Sequence, residues 1–312
     1  MIAGAAVYTK KSINSTILTR YAAENPLQAK IVLMKAQFED IASKKGAESF
    51  LAYAFNVPYF EFKWHYHPEY ELTLITQGDG KRLVGDSYES YTSGDLVLLG
   101  SELPHTWTSE TLQDKTVSAV VVQFPHDFIH RFSGLEEFKS IEALLAASER
   151  GLFFPDAESV RAELELLPAR QGVEKITSLI NILQHLSIQR HQKLSSASFH
   201  PVKGEETESR VNKVCQYIQK YFDEPLKLDQ AAALIHLSRS AFSKFFKRAT
   251  GKTFSDYVND IRIGKACRLL TETDKAINEI AYATGFDSLT YFNRVFLKKK
   301  GVTPRQFRTG LR

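Results

Sequence analysis

Between Leu226 and Phe307 the chain states one helical pattern twice, displaced by fifty positions. Ala231, Ala233 and Ser238 recur as Ala281, Ala283 and Ser288, while Phe242, Phe246, Gly251 and Thr253 recur as Phe292, Phe296, Gly301 and Thr303. Cations keep step as well, Lys244 with Arg294 and Arg248 with Lys298. An internal repeat constrains the fold before any single residue is interpreted. Two copies are too few to stack as a solenoid, so a paired module is expected.

The first copy reads as a helix over 227–234, a turn at His236-Leu237-Ser238, and a helix over 238–249 capped by Ser238. Phe242, Phe245, Phe246 and Ala249 fall on one face, leaving Arg239, Ser240, Ser243, Lys244 and Lys247 outward. The second copy reads as a helix over 278–284, a turn at Gly285-Phe286-Asp287, and a helix over 288–300. Here Phe292, Val295 and Phe296 point inward, and Thr290, Tyr291, Asn293, Arg294 and Lys298 outward. Gly301 suits a left-handed C-cap, and Pro304 opens a last short helix. A short helix, a tight turn and a second helix with a cationic outer face is the helix-turn-helix plan for entering the major groove, here over 227–249 and 277–300. A connecting helix over 255–270 spans roughly 24 Å. Such a rod suits two reading helices held near the ~34 Å separation of successive major-groove turns.

Charge points the same way. Residues 209–312 hold 20 Lys/Arg against 9 Asp/Glu, a balance of +11, whereas residues 1–208 hold 20 against 27, a balance of −7. Basic density confined to one domain is the electrostatic footprint of a polyanion such as double-stranded DNA. The two cysteines, Cys215 and Cys267, lie far apart within helical patterns, so they read as buried apolar residues in a reducing cytosol. No apolar run approaches a membrane span, and a cytoplasmic location is expected.

Residues 1–45 read as an N-terminal extension, with 1–33 expected to be disordered and Met34 a candidate internal start. From 50 to 124 the pattern becomes short β-type runs, over 51–55, 59–62, 70–76, 82–84, 88–91, 96–99 and 117–124, punctuated by Gly78-Asp79-Gly80, Gly85-Asp86 and Ser93-Gly94-Asp95. A sandwich or barrel over 46–132 follows. Residues 133–193 turn helical, and Ile176, Leu179, Ile180, Leu183 and Leu186 form a stripe that either packs on the β domain or meets its copy in a homodimer. Residues 194–208, rich in Ser, Gly and charge, read as an exposed linker.

Within the β region His65, His67 and Glu71 share one face if period-two alternation holds, and His105 follows a second β stretch. Three imidazoles and a carboxylate can hold zinc, iron, manganese or nickel, or serve instead as hydrogen-bonding core groups. Lys63, Trp64, Tyr66, Tyr70 and Trp107 either line a small-molecule pocket or belong to an ordinary core.

Ala231-Ala232, Leu237-Ser238, Phe246-Lys247-Arg248 with Gly251, Ile280-Ala281 through Gly285-Phe286-Asp287-Ser288, Tyr291-Phe292, Arg294-Val295-Phe296 with Lys298, and Gly301-Val302-Thr303-Pro304 together resemble the AraC/XylS family of bacterial transcription regulators. The resemblance implies two helices in adjacent major grooves of promoter DNA, a contact with RNA polymerase, base reading by Ser240, Ser243, Lys244, Thr290, Tyr291 and Arg294, and phosphate contacts by Arg239, Lys247, Asn293 and Lys298. Tyr291 has packing as its alternative role. The motif His65-x-His67-x-x-x-Glu71-x6-Gly78, with Gly94-Asp95 to Leu99-Gly100 and Pro104-His105, resembles the cupin barrel that usually serves such regulators as sensor. It departs at Gly100 and at Trp107 to Ser109, where cupins often carry proline and asparagine. The expectation is therefore a multidomain protein, an all-β cupin-like barrel with a helical dimerisation segment and an all-α domain of two helix-turn-helix units over 209–312. Its expected function is that of an effector-responsive DNA-binding transcription regulator, with activator as one of its two possible senses, rather than an enzyme. The alternative is a metal-dependent cupin enzyme fused to a DNA-binding domain.

Overall fold

The computed structural model describes residues 48–109, 116–201 and 204–310. The expected extension over 1–45, including Met34, lies outside them. In the N-terminal half the described strands are β1 (Leu51–Val57), β2 (Tyr70–Gln77), β3 (Gly80–Val84), β4 (Ser87–Tyr91), β5 (Leu96–Leu99), β6 (His105–Thr108), β7 (Val117–Phe124), β8 (Leu152–Phe154) and β9 (Gln192–Lys193). They form a six-stranded sheet ordered β1-β7-β2-β5-β8-β9 and a three-stranded sheet ordered β4-β3-β6. Strand β2 shows how the layers divide. Its Leu72 and Leu74 face a helical layer, whereas Ile75 joins Val57, Phe60, Tyr91 and Val121 between the sheets.

That helical layer consists of α1 (His126–His130), α2 (Lys139–Ala147), α3 (Glu158–Leu166) and α4 (Gly172–Ile188). Leu179, Ile182, Leu183 and Leu186 of α4 are fully buried with Leu72, Leu98 and Val122, so the chain's own sheet covers the stripe that offered a homodimer contact. A dimer face would have to use what α3 and α4 leave exposed, Leu166, Val173 and Ile188.

Two further differences from the sequence reading are local. Residues 59–62 form no strand: Pro58 and Pro68 bracket an extended segment that meets β6 and its end through side-chain bonds, the Ser109 amide donating to the Phe60 carbonyl, and one bridge, His65 with His105. The segment 194–208 is no free linker. Asp86 accepts from the Ser195 and Ser196 hydroxyls and the Ser196 amide, Arg150 Nε donates to the Ser195 carbonyl, and a helix has already begun at Glu205.

The C-terminal half contains α5 (Glu205–Lys220), α6 (Leu228–Leu234), α7 (Arg239–Thr250), α8 (Phe254–Glu272), α9 (Ile277–Ala283), α10 (Leu289–Lys300) and α11 (Pro304–Thr309). The repeat has a mechanical basis. Ser238 and Ser288 accept from the Ala241 and Tyr291 amides and start α7 and α10. Gly251 and Gly301 end those helices at φ 72°, and Thr253 and Thr303 cap the helices that follow. The displacement is not uniform, however. The Leu237 amide bonds to the Ala232 carbonyl as the Phe286 amide bonds to that of Ala281, a displacement of 49. Ala232, not Ala231, is thus the counterpart of Ala281, and the second turn holds one extra residue before its capping serine.

Each unit has its own core. Phe242, Phe246, Val211, Ile218 and Tyr257 fill the first, and Phe286, Phe292, Phe296, Ile280 and Leu270 the second. Helix α8, 19 residues and about 28 Å long, contributes to both. Cys215 and Cys267 are both free thiols, the first fully buried.

The barrel docks on the first unit. Phe62, Trp64 and Leu83 join its core cluster, and the Trp64 main chain is bonded on both sides by Asn212 of α5, N–H to Oδ1 at 2.6 Å and carbonyl from Nδ2 at 2.8 Å. The β3–β4 turn presses on the end of α7, where a Cβ added at Gly251 would stand 2.0 Å from that of Asp86. Positive φ and this close approach both require glycine there.

Candidate functional site

Two constellations carry chemistry. The first is the outer face of the helical pair. Arg239, Ser240, Ser243, Lys244 and Lys247 on α7, and Thr290, Tyr291, Asn293, Arg294 and Lys298 on α10, are all exposed, as the apolar periodicity requires. Their readiness differs. Arg239 is engaged by Asp229 at 3.1 Å, and the Ser243 hydroxyl donates to the Arg239 carbonyl of its own helix. On α10 the Arg294 guanidinium lies 5.2 Å over the Tyr291 ring, and among the described residues no carboxylate pairs with it. Tyr291 is itself fixed, its hydroxyl accepting from Asn259 on α8 at 3.0 Å. Its body therefore packs as a platform that leaves Arg294 extended and unpaired, the state a guanine edge or a phosphate requires.

The spacing of the helices is held by a polar staple that sequence reasoning missed. Asp260 in mid-α8 accepts from Lys252, beside the end of α7, and from Lys299 of α10, both at 2.8 Å. Arg262 donates to the Phe222 and Glu224 carbonyls at 2.7 and 2.8 Å while its guanidinium faces the Phe286 ring. Nothing in the α8 sequence marks these residues as bridges, because Lys299, Phe222 and Glu224 are remote along the chain and Lys252 lies beyond the helix start.

The second constellation lies in the barrel. His65, His67 and His105 bring one ring nitrogen each within 4.8 Å of the others. The sequence expectation placed His65, His67 and Glu71 on one strand face, but only Glu71 is on a strand. His65 and His67 sit in the extended segment before β2, brought to Glu71 by the chain's turn at Pro68 and to His105 by the bridge to β6. Each ring has its Nδ1 against a main-chain carbonyl, His65 on Lys63 at 2.8 Å, His67 on Glu69 at 3.2 Å and His105 on Leu103 at 2.8 Å. A carbonyl only accepts, so each Nδ1 carries the proton; the neutral His65 and His105 rings then offer their Nε2 lone pairs to the cluster, while His67 Nε2 faces the Glu71 carboxylate.

Glu71 completes the set, 3.0 Å from His67 Nε2 and 3.8 Å from His105 Nε2. Gln123, directly across the β2–β7 ladder, donates to the same carboxylate oxygen at 2.9 Å. Burial works to raise the Glu71 pKa, but the bonds from His67 and Gln123 hold it well below the usual carboxylate range. Burial and then His65 push His105 down to about 3, so it stays a neutral donor of electron pairs. His67 is opposed by burial, yet Glu71 raises it. A proton on His67 thus occupies the position a cation would take. His105 Nε2 is buried with no hydrogen-bond partner, the orphaned atom expected where a ligand lone pair awaits an ion. The residues present fit a divalent metal.

The aromatic set does not converge on one pocket. Trp64 is spent on the domain contact, and the Tyr66 hydroxyl accepts from the Gly204 amide. Tyr70 stacks on Phe124 under the helical layer, and Lys63 is exposed. Only Trp107 meets the cluster, its ring centroid 5.7 Å from that of His105. The segment 62–70 is not a regular strand, so neighbouring side chains reach three different layers instead of alternating between two.

Comparison with known proteins gives two family matches, "AraC-like ligand binding domain" over residues 49–167 and "Helix-turn-helix domain" over residues 231–310. Two transcriptional activators named RhaR align along nearly their whole length. That of Cronobacter sakazakii is 24% identical over 303 residues, 90% of this chain and 97% of the relative. That of Klebsiella pneumoniae is 26% identical over 287 residues, with the same coverages. The arabinose operon regulatory protein of Salmonella typhimurium is 32% identical over 170 residues, 52% of this chain and 59% of that protein.

Proposed function

Starting from a chain that belongs to the AraC family, a DNA-binding transcription regulator with an N-terminal ligand-binding domain, we propose that the state of the histidine cluster is transmitted to the DNA-reading helices through residues 62–65. One observation carries this reading. His65 of the cluster is bonded in sequence to Trp64, whose main chain is clamped by Asn212 of α5. Any shift of His65 on binding therefore moves the contact that sets how the helical pair is presented, and so shifts the population of arrangements able to grip both grooves. The test is titration of the full chain onto its upstream promoter fragment and onto random DNA, with zinc and with chelator. A promoter preference that changes on chelation supports the reading, and equal affinity for both DNAs in every condition refutes it.

His65, His67, Glu71 and His105 would hold the ion, with Gln123 orienting Glu71. The ion would supply a fixed positive charge beside the buried Glu71 carboxylate. His105→Ala is expected to reduce retained metal from about one ion per chain to near none, as elemental analysis would read, since a site keeping three donors loses most of its affinity. His126→Ala, outside the cluster, should leave it unchanged. Equal metal content in both variants would reduce the cluster to a hydrogen-bonded core group.

The regulator reading also carries a non-enzymatic barrel, a cytoplasmic location, contact with RNA polymerase at activated promoters, and a homodimer through the exposed Leu166, Val173 and Ile188. Among the described residues no helix is long and apolar enough to cross a membrane. Sedimentation of Val173→Glu against the parent chain tests the dimer.

A further inference from the structure

A cleft of about 890 Å³ separates the two halves of the molecule, away from both constellations. Its barrel wall carries Tyr59, Lys81, Tyr88 and Ser90, and its other wall Gly264 of α8 and Lys300 at the end of α10. We propose that this cleft is a binding site for a small organic dianion of the phosphate-monoester class, held between Lys81 of the barrel and Lys300 of the DNA-binding half. The proposal rests on the regulator reading and assigns it a second effector position.

The electrostatics are unusual for an interface. Cations elsewhere on this face have acceptors, Lys252 and Lys299 on Asp260 and Arg268 on Glu272. Among the described residues no carboxylate lies within ion-pair distance of Lys81 or Lys300, and Lys81 Nζ donates only to a neutral hydroxyl, that of Ser90 at 2.6 Å. Burial, and next the charge of Lys300, push the Lys81 ammonium below its ordinary range. Lys81 and Lys300 line the same cleft, together with Cys267.

Two like charges brought together across a domain contact oppose that contact unless an anion joins them. A dianion neutralises both, whereas a monoanion leaves one unmatched. Glu61, Asp79 and Glu272 also line the cleft, and their charges disfavour an anion placed away from Lys81 and Lys300. Phe60, Tyr88, Tyr91 and Phe307 give the organic part of the ligand apolar and aromatic surface.

Gly264 supplies an independent mark of design. It sits inside a long helix, where glycine is a poor choice, and it leaves the slot that Lys81 crosses. A Cβ added there would stand 3.1 Å from Lys81 Cε and 3.7 Å from Nζ. Helix propensity has been yielded at this one position to admit the lysine head beside the helix.

Calorimetric titration of the full chain with phenyl phosphate, inorganic phosphate and benzoate tests the site. Saturable binding of phenyl phosphate is expected, weaker for the other two, and weaker by at least about tenfold in Lys81→Met and in Lys300→Met. Gly264→Ala keeps both charges and favours the helix, yet should also weaken binding by crowding Lys81. Lys139→Met, on the far helical layer, should have no effect. Absence of saturable binding in the parent chain, or equal losses in Lys81→Met and Lys139→Met, would overturn the proposal. Promoter binding without ligand is measured in parallel on the parent chain and Lys81→Met. Its failure counts against the regulator reading, and its survival without phosphate binding against the cleft site alone.

Discussion

Replacing Arg294 by alanine is expected to weaken binding to the cognate promoter by roughly 5- to 150-fold, the range of about 1–3 kcal/mol for a bidentate arginine–guanine contact. Binding to random DNA should change far less. Arg294 is exposed, carried on the Tyr291 ring and free of any described carboxylate, so little must be broken before it engages a base. Arg239 is the contrasting case, because its pair with Asp229 must be exchanged for a phosphate, and exposed pairs of that kind contribute only about 0–1 kcal/mol. Lys247→Ala, on the outer face near the end of α7, should weaken both DNAs alike and lower the salt slope by about 0.9. Fluorescence anisotropy at two salt concentrations separates the two behaviours. Parallel losses on cognate and random DNA for Arg294→Ala would place that residue on the phosphate backbone instead.

The second large effect concerns stability. Phe292 is fully buried among Phe286, Phe296 and Ile280, and Phe292→Ala should cost about 3–5 kcal/mol. The second unit is small and its core is separate from that of the first, so this loss is a large part of what holds α9, α10 and α11 on the end of α8. Hydrogen exchange should show those three helices losing protection while the barrel and α5 to α7 keep theirs. Promoter specificity should fall with them, leaving the first unit's contacts. Concerted loss of protection across the whole chain would mean that the two cores act as one cooperative body.

What could be read from the sequence follows how local each determinant is. The capping serines, the left-handed glycines and the phenylalanine stripe act within a turn or two, and the helix-turn-helix pair was legible from them. The identity of the cluster residues was legible too, but not the route that assembles them. Alternation assumed a strand through His65 and His67, whereas prolines on either side leave that segment unpaired except at one bridge. Gln123 could not be found in advance, since its link to Glu71 depends on which strands become neighbours. Trp64 fits either a pocket or a core in the sequence, and the domain contact that uses it is not legible there because it is made by Asn212, 148 positions away. The α4 stripe announced burial but not the surface that provides it, which is a face of the chain's own sheet. The one-residue difference between the two turns escaped because small residues on both sides, Ala231 to Ala233 and Ala281 to Ala283, align almost equally well at either displacement.

The paired caps have a consequence for how such a reader can change. Serine at the start, glycine at the end and threonine two residues later enclose residues 238–253 and 288–303 as matching cassettes, with Phe242 and Phe246 in one and Phe292 and Phe296 in the other fully buried. The extra residue of the second turn lies before its cassette, outside the exchanged stretch. Outward residues that make no bond to α8, such as Ser240 and Thr290, can therefore be exchanged between the two positions without disturbing either core, which alters what each helix presents to a groove while the caps hold its frame.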